Sequence, residues 1–183
     1  MSKTVVTRSR IMSKKVAVLL THDFSDTEYN ECAHAYRAAG HSILNIEHCE
    51  GNIVYGIQRK TSVTIDLGIH NSCIHDFDAL FIAGGISPTS LSCYERFIAF
   101  VQKFANAQKP IFSSCDDPSL LIEASIVRGR RLTAVDQVSS RLQQAGAVYL
   151  DQDVVNDNNL YISSHSPDVL PQFLNETLKV LRL

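Results

Sequence analysis

The sequence predicts a single α/β domain, doubly wound, with a mostly parallel sheet and helices on both of its faces. Three observations predict it. Short, continuous apolar runs such as Val16-Ala17-Val18-Leu19-Leu20 and "FDALFIAGG" suit strands buried on both faces. Stretches with helical spacing separate these runs, and such alternation implies a parallel sheet with crossover helices. The runs also break abruptly, at a polar loop, a glycine pair or a cysteine, as strands do where functional loops begin.

Taken in order, Val16 to Leu20 is the first strand and the polar loop "THDFSD" follows it. Residues 26–39 carry helical spacing up to Gly40, a C′ glycine. His41 to Glu47 alternates as a second strand, and "NIVYG" and "SVTIDL" read as short, hairpin-like strands. The buried strand in "FDALFIAGG" is followed by a helix over residues 90–107, with Phe97, Ile98, Val101 and Phe104 on one stripe. A strand at 110–114 turns into a helix at 118–126, with Asp117 as its cap and Pro118 in its first turn. "RRLTA" is a further strand, and Ser139 to Ala145 a helix ending at Gly146. "VYLDQDVVNDNNLYISS" reads as a strand and hairpin with an Asn-rich turn, and the last helix runs from Pro167 to Leu181.

The chain of 183 residues is 45% hydrophobic and 20% charged, which fits one soluble domain with a substantial core. Its net charge of −2 gives no electrostatic reason for nucleic acid or an anionic membrane as partner. No apolar run approaches a membrane span. Five scattered cysteines, with no C-x-x-C pair and no zinc-ligand spacing, read as reduced cytoplasmic thiols without disulfide, metal or cofactor. The opening segment "MSKTVVTRSRIMSKK" is basic, and "MSK" occurs twice. Either Met12 is the functional start or residues 1–13 form a loose tail ahead of a domain over 14–183; a transit peptide is less favoured.

In doubly wound sheets the functional groups gather at the carboxyl ends of the strands, which selects loops 21–28, 84–90 and 113–118. Cys115 ends its strand at an elbow, where a sharp turn exposes a side chain and a helix end favours a thiolate; the plain alternative is an inert buried cysteine. Gly84-Gly85 lets backbone amides approach a ligand, so the Gly85 N–H can pair with the Asp116 N–H as an oxyanion hole, or the pair is a simple turn. Glu28 either reaches across to the thiol or complements its own helix dipole.

These loops, with "KKVAVLLTHDFSDTEY", "RAAGHSI", "FDALFIAGG", "VRGRRLTA", "QQAGAVYLDQDVV" and "YISSHSPDVL", resemble the PfpI/ThiJ family from Lys15 to Leu181. That group includes the Parkinson-disease deglycase and the archaeal intracellular protease. The resemblance implies a flavodoxin-like sheet akin to class I glutamine amidotransferases. It implies Cys115 as nucleophile, Glu28 as its partner carboxyl and Gly85 in the oxyanion hole, in a homodimer or larger ring.

The chain departs from the protease-like branch, in which histidine follows the cysteine and a neighbouring subunit supplies an acid. Here Asp116 and then Asp117 follow Cys115, and Thr89 stands in the acid's place. Peptidase chemistry by a Cys-His-acid triad is disfavoured on that ground, and the amidotransferase triad is not found either. An ionised Asp116 about 5 Å from the sulfur disfavours the thiolate by roughly 3 kcal/mol at an effective dielectric of about 20. His22 and His165 are auxiliary candidates for the missing imidazole, each also readable as a satisfied polar side chain.

Three functions remain open. One is a glyoxalase- or deglycase-like enzyme, with Cys115 attacking a small electrophilic metabolite or a protein adduct and Glu28, with Asp116 as a possible extra acid or base, managing the proton. Another is a redox-sensing or chaperone-like stress protein whose oxidised Cys115 is stabilised by Glu28. The third is a degenerate member whose elbow has lost its chemistry.

Overall fold

Side chains alternate along the first strand, β1 (Lys15–Leu19), and sort into two separate cores. Ala17 and Leu19 face one, while Val16 and Val18 face the other. The computed structural model describes residues 12–114 and 117–183. The first helix, α1 (Asp26–Ala38), ends where Gly40 adopts φ 87°, as expected of a C′ glycine. β2 (Ser42–Glu47) then pairs in parallel with β1.

The hairpin expected at "NIVYG" and "SVTIDL" is β3 (Ile53–Tyr55) with β4 (Ser62–Thr64), antiparallel and apart from the main sheet. Its second segment continues into β5 (Leu67–Gly68), which joins the outer side of β2. β6 (Ala79–Ile82) and β7 (Ile111–Ser114) follow, and the Asn-rich turn closes β10 (Val154–Asp157) onto β11 (Tyr161–Ser164). Asn158 and Asn159, at φ 56° and 61°, supply the left-handed turn. Among the described residues, seven strands form one sheet in the order β10-β11-β7-β6-β1-β2-β5, parallel except for β10 against β11.

The strand expected at "RRLTA" is β8 (Arg131–Leu132), but it pairs with β9 (Val148–Tyr149) in a separate two-stranded ribbon. The helix expected over 90–107 is instead two, α2 (Ser87–Leu91) and α3 (Glu95–Asn106). Ser92 Oγ donates to the Thr89 carbonyl at 2.7 Å, and Tyr94 is extended at φ −119°, ψ 120°; these local choices end one helix and restart the next. The buried stripe of α3 is Phe97, Phe100, Val101 and Phe104, with Phe100 in place of the expected Ile98. The helix expected to 126 is the short α4 (Ser119–Glu123), cut off before Ser125 turns left-handed at φ 57°. α5 (Asp136–Gln144) starts earlier than expected, and α6 (Leu170–Leu181) follows one 3-10 turn at Pro167–Val169.

One core joins Leu80, Ile82 and Ile111 to α3, α4 and α5; the other joins Phe81, Phe112 and Ile162 to α1 and α6 through Tyr36 and Phe173. Each fully buried aromatic contributes about 1.5–3 kcal/mol relative to exposure, so the two faces hold the sheet rigidly between them. Among the described residues no helix is long and apolar enough to cross a membrane. Of the expected 1–13 tail, residues 1–11 lie outside the described residues.

Candidate functional site

The loops after β1, β6 and β7 are stitched together. Phe24 is buried and bridges Gly85 in antiparallel fashion; the Ser25 N–H donates to the Gly84 carbonyl at 2.9 Å, and the Ile86 N–H to the Asp23 carbonyl at 2.9 Å. This pairing leaves the Gly85 N–H outside the bridge. Gly85 sits at φ 89°, and a Cβ on it would stand 2.6 Å from the Asp23 carbonyl oxygen. Below, the Thr21 N–H donates to Ser87 Oγ at 2.7 Å and Thr21 Oγ1 to the buried Glu47 carboxylate at 3.2 Å, bracing the first loop against α2 and β2.

Glu28, in the first turn of α1, is 1% exposed. Its Oε2 accepts a hydrogen bond from Ser114 Oγ at 3.0 Å, so the carboxyl crosses the end of β6 to reach the end of β7. A Cβ on Gly84 would collide with Glu28 Oε2 and with the Ser114 carbonyl, which is why the crossing needs glycine there. The side chain therefore does not lie on the helix surface as a dipole-complementing acid. A carboxylate at such depth is tolerated only when hydrogen-bonded.

Cys115 and Asp116 lie outside the described residues, and with them the expected elbow, the second oxyanion donor and the orientation of the Asp116 carboxyl. Their flanks are described. Ser114 meets Glu28; the N-cap of α4 is Pro118 rather than the expected Asp117, which lies one residue before it and accepts the Ser119 N–H through Oδ1 at 2.9 Å. Asp117 also accepts hydrogen bonds from Thr89 Oγ1 and Ser119 Oγ. Arg141, on α5, donates to Ser119 Oγ at 2.9 Å and brings Nη1 to 3.6 Å from Asp117 Oδ1. Ser114, Ser119 and Arg141 escaped the sequence reading. The serine pair closing the otherwise apolar "IFSS" strand was a usable signal for Ser114, whereas nothing local marks Arg141.

The two auxiliary histidines bond elsewhere. His22 is exposed, stacks on Tyr55 with ring centroids 5.9 Å apart, and accepts the Tyr55 N–H at 3.3 Å through Nδ1. His165 faces Asp153, with Nδ1 3.8 Å from Oδ1. Among the described residues, neither bonds to Ser114 or Asp117. Cys32 is buried, and burial pushes its thiol pKa well up; Cys49, Cys73 and Cys93 are exposed. A cleft of about 390 Å³ lined by His48, Cys93, Tyr94 and Phe97 contains none of the groups that meet at Ser114. Among the described residues no group of three or more His, Cys, Asp and Glu is placed to hold a metal ion.

Asp26, two residues before Glu28, was not singled out either. It is buried and turned the other way, accepting backbone N–H groups of Gln58 at 2.8 Å, Lys60 at 3.1 Å and Thr61 at 2.8 Å from the turn of the β3–β4 hairpin. Burial raises its carboxyl pKa, but the three amides outweigh burial and hold it below the usual value.

The sequence profile of the DJ-1/PfpI family matches residues 14–180. Over 170 residues the chain is 44% identical to "Protein/nucleic acid deglycase 2" of Escherichia coli, covering 93% of this chain and 99% of that one. It is 40% identical, with the same coverage, to "General stress protein 18" of Bacillus subtilis. Among solved structures, a two-domain protein of Anabaena variabilis with DJ-1/ThiJ/PfpI-like and ferritin-like domains superposes with TM-score 0.88 at 28% identity, covering 92% of this chain and 50% of that one. Drosophila melanogaster DJ-1beta superposes with TM-score 0.84 at 20% identity, covering 93% and 91%, a likeness of fold.

Proposed function

The chain belongs to the DJ-1/PfpI family, and from that premise we propose that it is a cytoplasmic stress-response protein whose Cys115 adds to reactive carbonyls. The observation that carries the reading is the buried Glu28 carboxyl held against Ser114, the residue immediately before the cysteine. A carboxyl brought from another loop to the residue before Cys115 supports a role as the proton partner of that thiol. A fully buried acid has no such use in solubility or surface charge.

In the addition, the thiol proton passes to Glu28 and the sulfur forms a bond to the carbonyl carbon. The C=O π pair becomes an alkoxide, held by the Gly85 N–H with the Asp116 N–H as second donor, and Glu28 returns the proton to give a hemithioacetal. The substrate is a 2-oxoaldehyde or its adduct on an amine. The name of the Escherichia coli relative joins protein with nucleic acid, so the expectation of no nucleic-acid partner is not carried forward. Peptidase chemistry draws no support from the described residues, where His22 bonds to Tyr55 and His165 faces Asp153.

The test is methylglyoxal turnover by wild type and Cys115→Ser. Loss in the variant is the expected result, and full retention ends the reading. Mass spectrometry after graded peroxide separates the alternative: selective oxidation of Cys115 without carbonyl turnover replaces the enzyme with a redox sensor.

A further inference from the structure

Two clefts that contain none of the groups meeting at Ser114 share one arginine on α3. The first, of about 390 Å³, is the one bordered by Cys93 and Tyr94, and its volume lies in the range of small-molecule sites. Its wall is aromatic. The His48 ring stands edge-on to Tyr94 and Phe97, with centroids 4.4 and 5.0 Å away, so Tyr94 is braced while remaining 50% exposed. Solubility gives no reason to hold a tyrosine ring fixed and open to solvent; stacking against a flat ligand does. The second cleft, of about 220 Å³, lies between α3 and the 3-10 turn Ile69–Asn71, over Ala99 and Phe100. Its lining includes Arg96, Lys103 and His70 and, among the described residues, no carboxylate. Arg96 and Lys103 are seven positions apart, hence on one face of α3 and about 10 Å apart along its axis. Both are exposed, and no ion pair among the described residues uses either. Arg96 also reaches His70. A guanidinium only donates, so His70 Nδ1 accepts from Arg96 Nη1 and the neutral ring keeps its proton on Nε2, as a further donor.

We propose that the two clefts form one binding site for a nucleotide, the base lying on Tyr94 in the first and the phosphate held by Arg96, Lys103 and His70 in the second. Charge complementarity sets the orientation. Glu95 lines the first cleft, where its carboxylate repels a phosphate and accepts an N–H from a base edge; the second cleft offers two cations and an imidazole N–H. The net charge of −2 over the whole chain does not oppose this, because with screening over about 8 Å the phosphate feels the groups beside it. A free nucleotide and one unit of a single-stranded nucleic acid share this chemistry. The site involves neither Glu28 nor Ser114, so it stands or falls apart from the carbonyl chemistry.

The measurement is calorimetric titration of the full chain with adenosine monophosphate and with adenosine, alongside iodoacetamide alkylation of Cys93 read by peptide mass spectrometry. Adenosine monophosphate is expected to bind with Kd below about 1 mM. At saturation it should slow alkylation of Cys93, which lines the first cleft, several-fold and leave the exposed Cys49 unchanged. Lys103→Met is expected to weaken the nucleotide about 5-fold and to leave adenosine within about 2-fold of wild type. Tyr94→Ala should weaken nucleotide and nucleoside alike, by about 10-fold.

No binding below about 1 mM overturns the inference. So do equal affinities for nucleotide and nucleoside, a loss for adenosine in Lys103→Met as large as that for the nucleotide, or unprotected Cys93 in the complex. If Tyr94→Ala instead dissociates an oligomer in sedimentation velocity and the nucleotide fails to protect Cys93, the aromatic face is a contact between copies of this chain and the inference falls. A short adenylate strand that displaces adenosine monophosphate at lower concentration assigns the site to single-stranded nucleic acid. Nucleotide binding that the strand does not disturb assigns it to the free nucleotide, and either result upholds the site. Should Tyr94→Ala not fold, Lys103→Met, on an exposed side chain, decides.

Discussion

Asp26 and Glu28 share the first turn of one helix, are both buried, and serve two different regions of the molecule. Asp26 faces the hairpin turn, where three backbone amides favour its ionised form and hold its pKa below the usual value. Glu28 faces the strand ends, where a serine hydroxyl and the open α-carbon of Gly84 stand against it. A carboxyl surrounded by amides holds a loop and has little freedom to take up a proton. A carboxyl against a hydroxyl can exist in either protonation state, because a hydroxyl both donates and accepts. Burial alone therefore does not mark a functional acid.

The sharpest way to break this contrast is to fill the space through which Glu28 passes. Gly84→Val should cost on the order of 3 kcal/mol in urea unfolding, because its side chain meets both Glu28 Oε2 and the Ser114 carbonyl. An unchanged midpoint would show that the carboxyl does not lie there. Next in size, Glu28→Gln keeps shape and hydrogen bonding but loses the exchangeable proton. Methylglyoxal turnover should fall about 100-fold while stability changes by less than about 1 kcal/mol. The reverse pattern would make Glu28 structural, like Asp26.

Asp26→Ala should cost about 2 kcal/mol and speed amide exchange at Gln58 and Thr61, with the pH profile of Cys115 alkylation unmoved. Asp26 also carries a pH signature. Its native pKa lies below the ordinary 3.8, so its stabilisation is complete above that value and is lost as pH falls from there through the native pKa. Acid unfolding of Asp26→Asn should lack that component of the slope.

The smallest effect is expected at the opposite end of the sheet. His41 is buried; its Nδ1 accepts the Lys14 N–H at 3.2 Å, and its Nε2 has no partner among the described residues. Burial, then the Lys14 and Arg182 charges, hold its pKa below the ordinary 6.5 against the pull of Asp78. Below 6.5 the unfolded chain takes up a proton that the native state refuses, so stability should decline by about 1 kcal/mol or less towards pH 5. His41→Asn, which preserves the Nδ1-like acceptor, should flatten that slope; a slope left intact would assign it to another histidine.

Most of the architecture was legible because doubly buried strands leave uninterrupted apolar runs, and β1, β6 and β7 are such runs. The break at residues 92–94 was not, because the Ser92 hydroxyl competing for the Thr89 carbonyl is a local choice that hydrophobic spacing does not encode. Nor was the exclusion of β8 and β9 from the main sheet, since an apolar pair looks the same in either place. Loop position pointed to Glu28 and the glycine pair. It could not say which of two first-turn acids turns inward towards Ser114, because residues two apart lie about 200° apart around a helix and only the tertiary packing decides. Arg141 left no trace in the sequence near the cysteine, its partners being supplied by the way α5 returns over α4.

The hydrogen bond from Ser114 to Glu28 spans 86 positions and crosses a strand that enters the sheet between them. Contacts of such long sequence separation form late, after the intervening segments have docked. On the proposed reading, a nascent or partly folded chain carries Cys115 without its acid, and the pairing arrives together with the finished sheet.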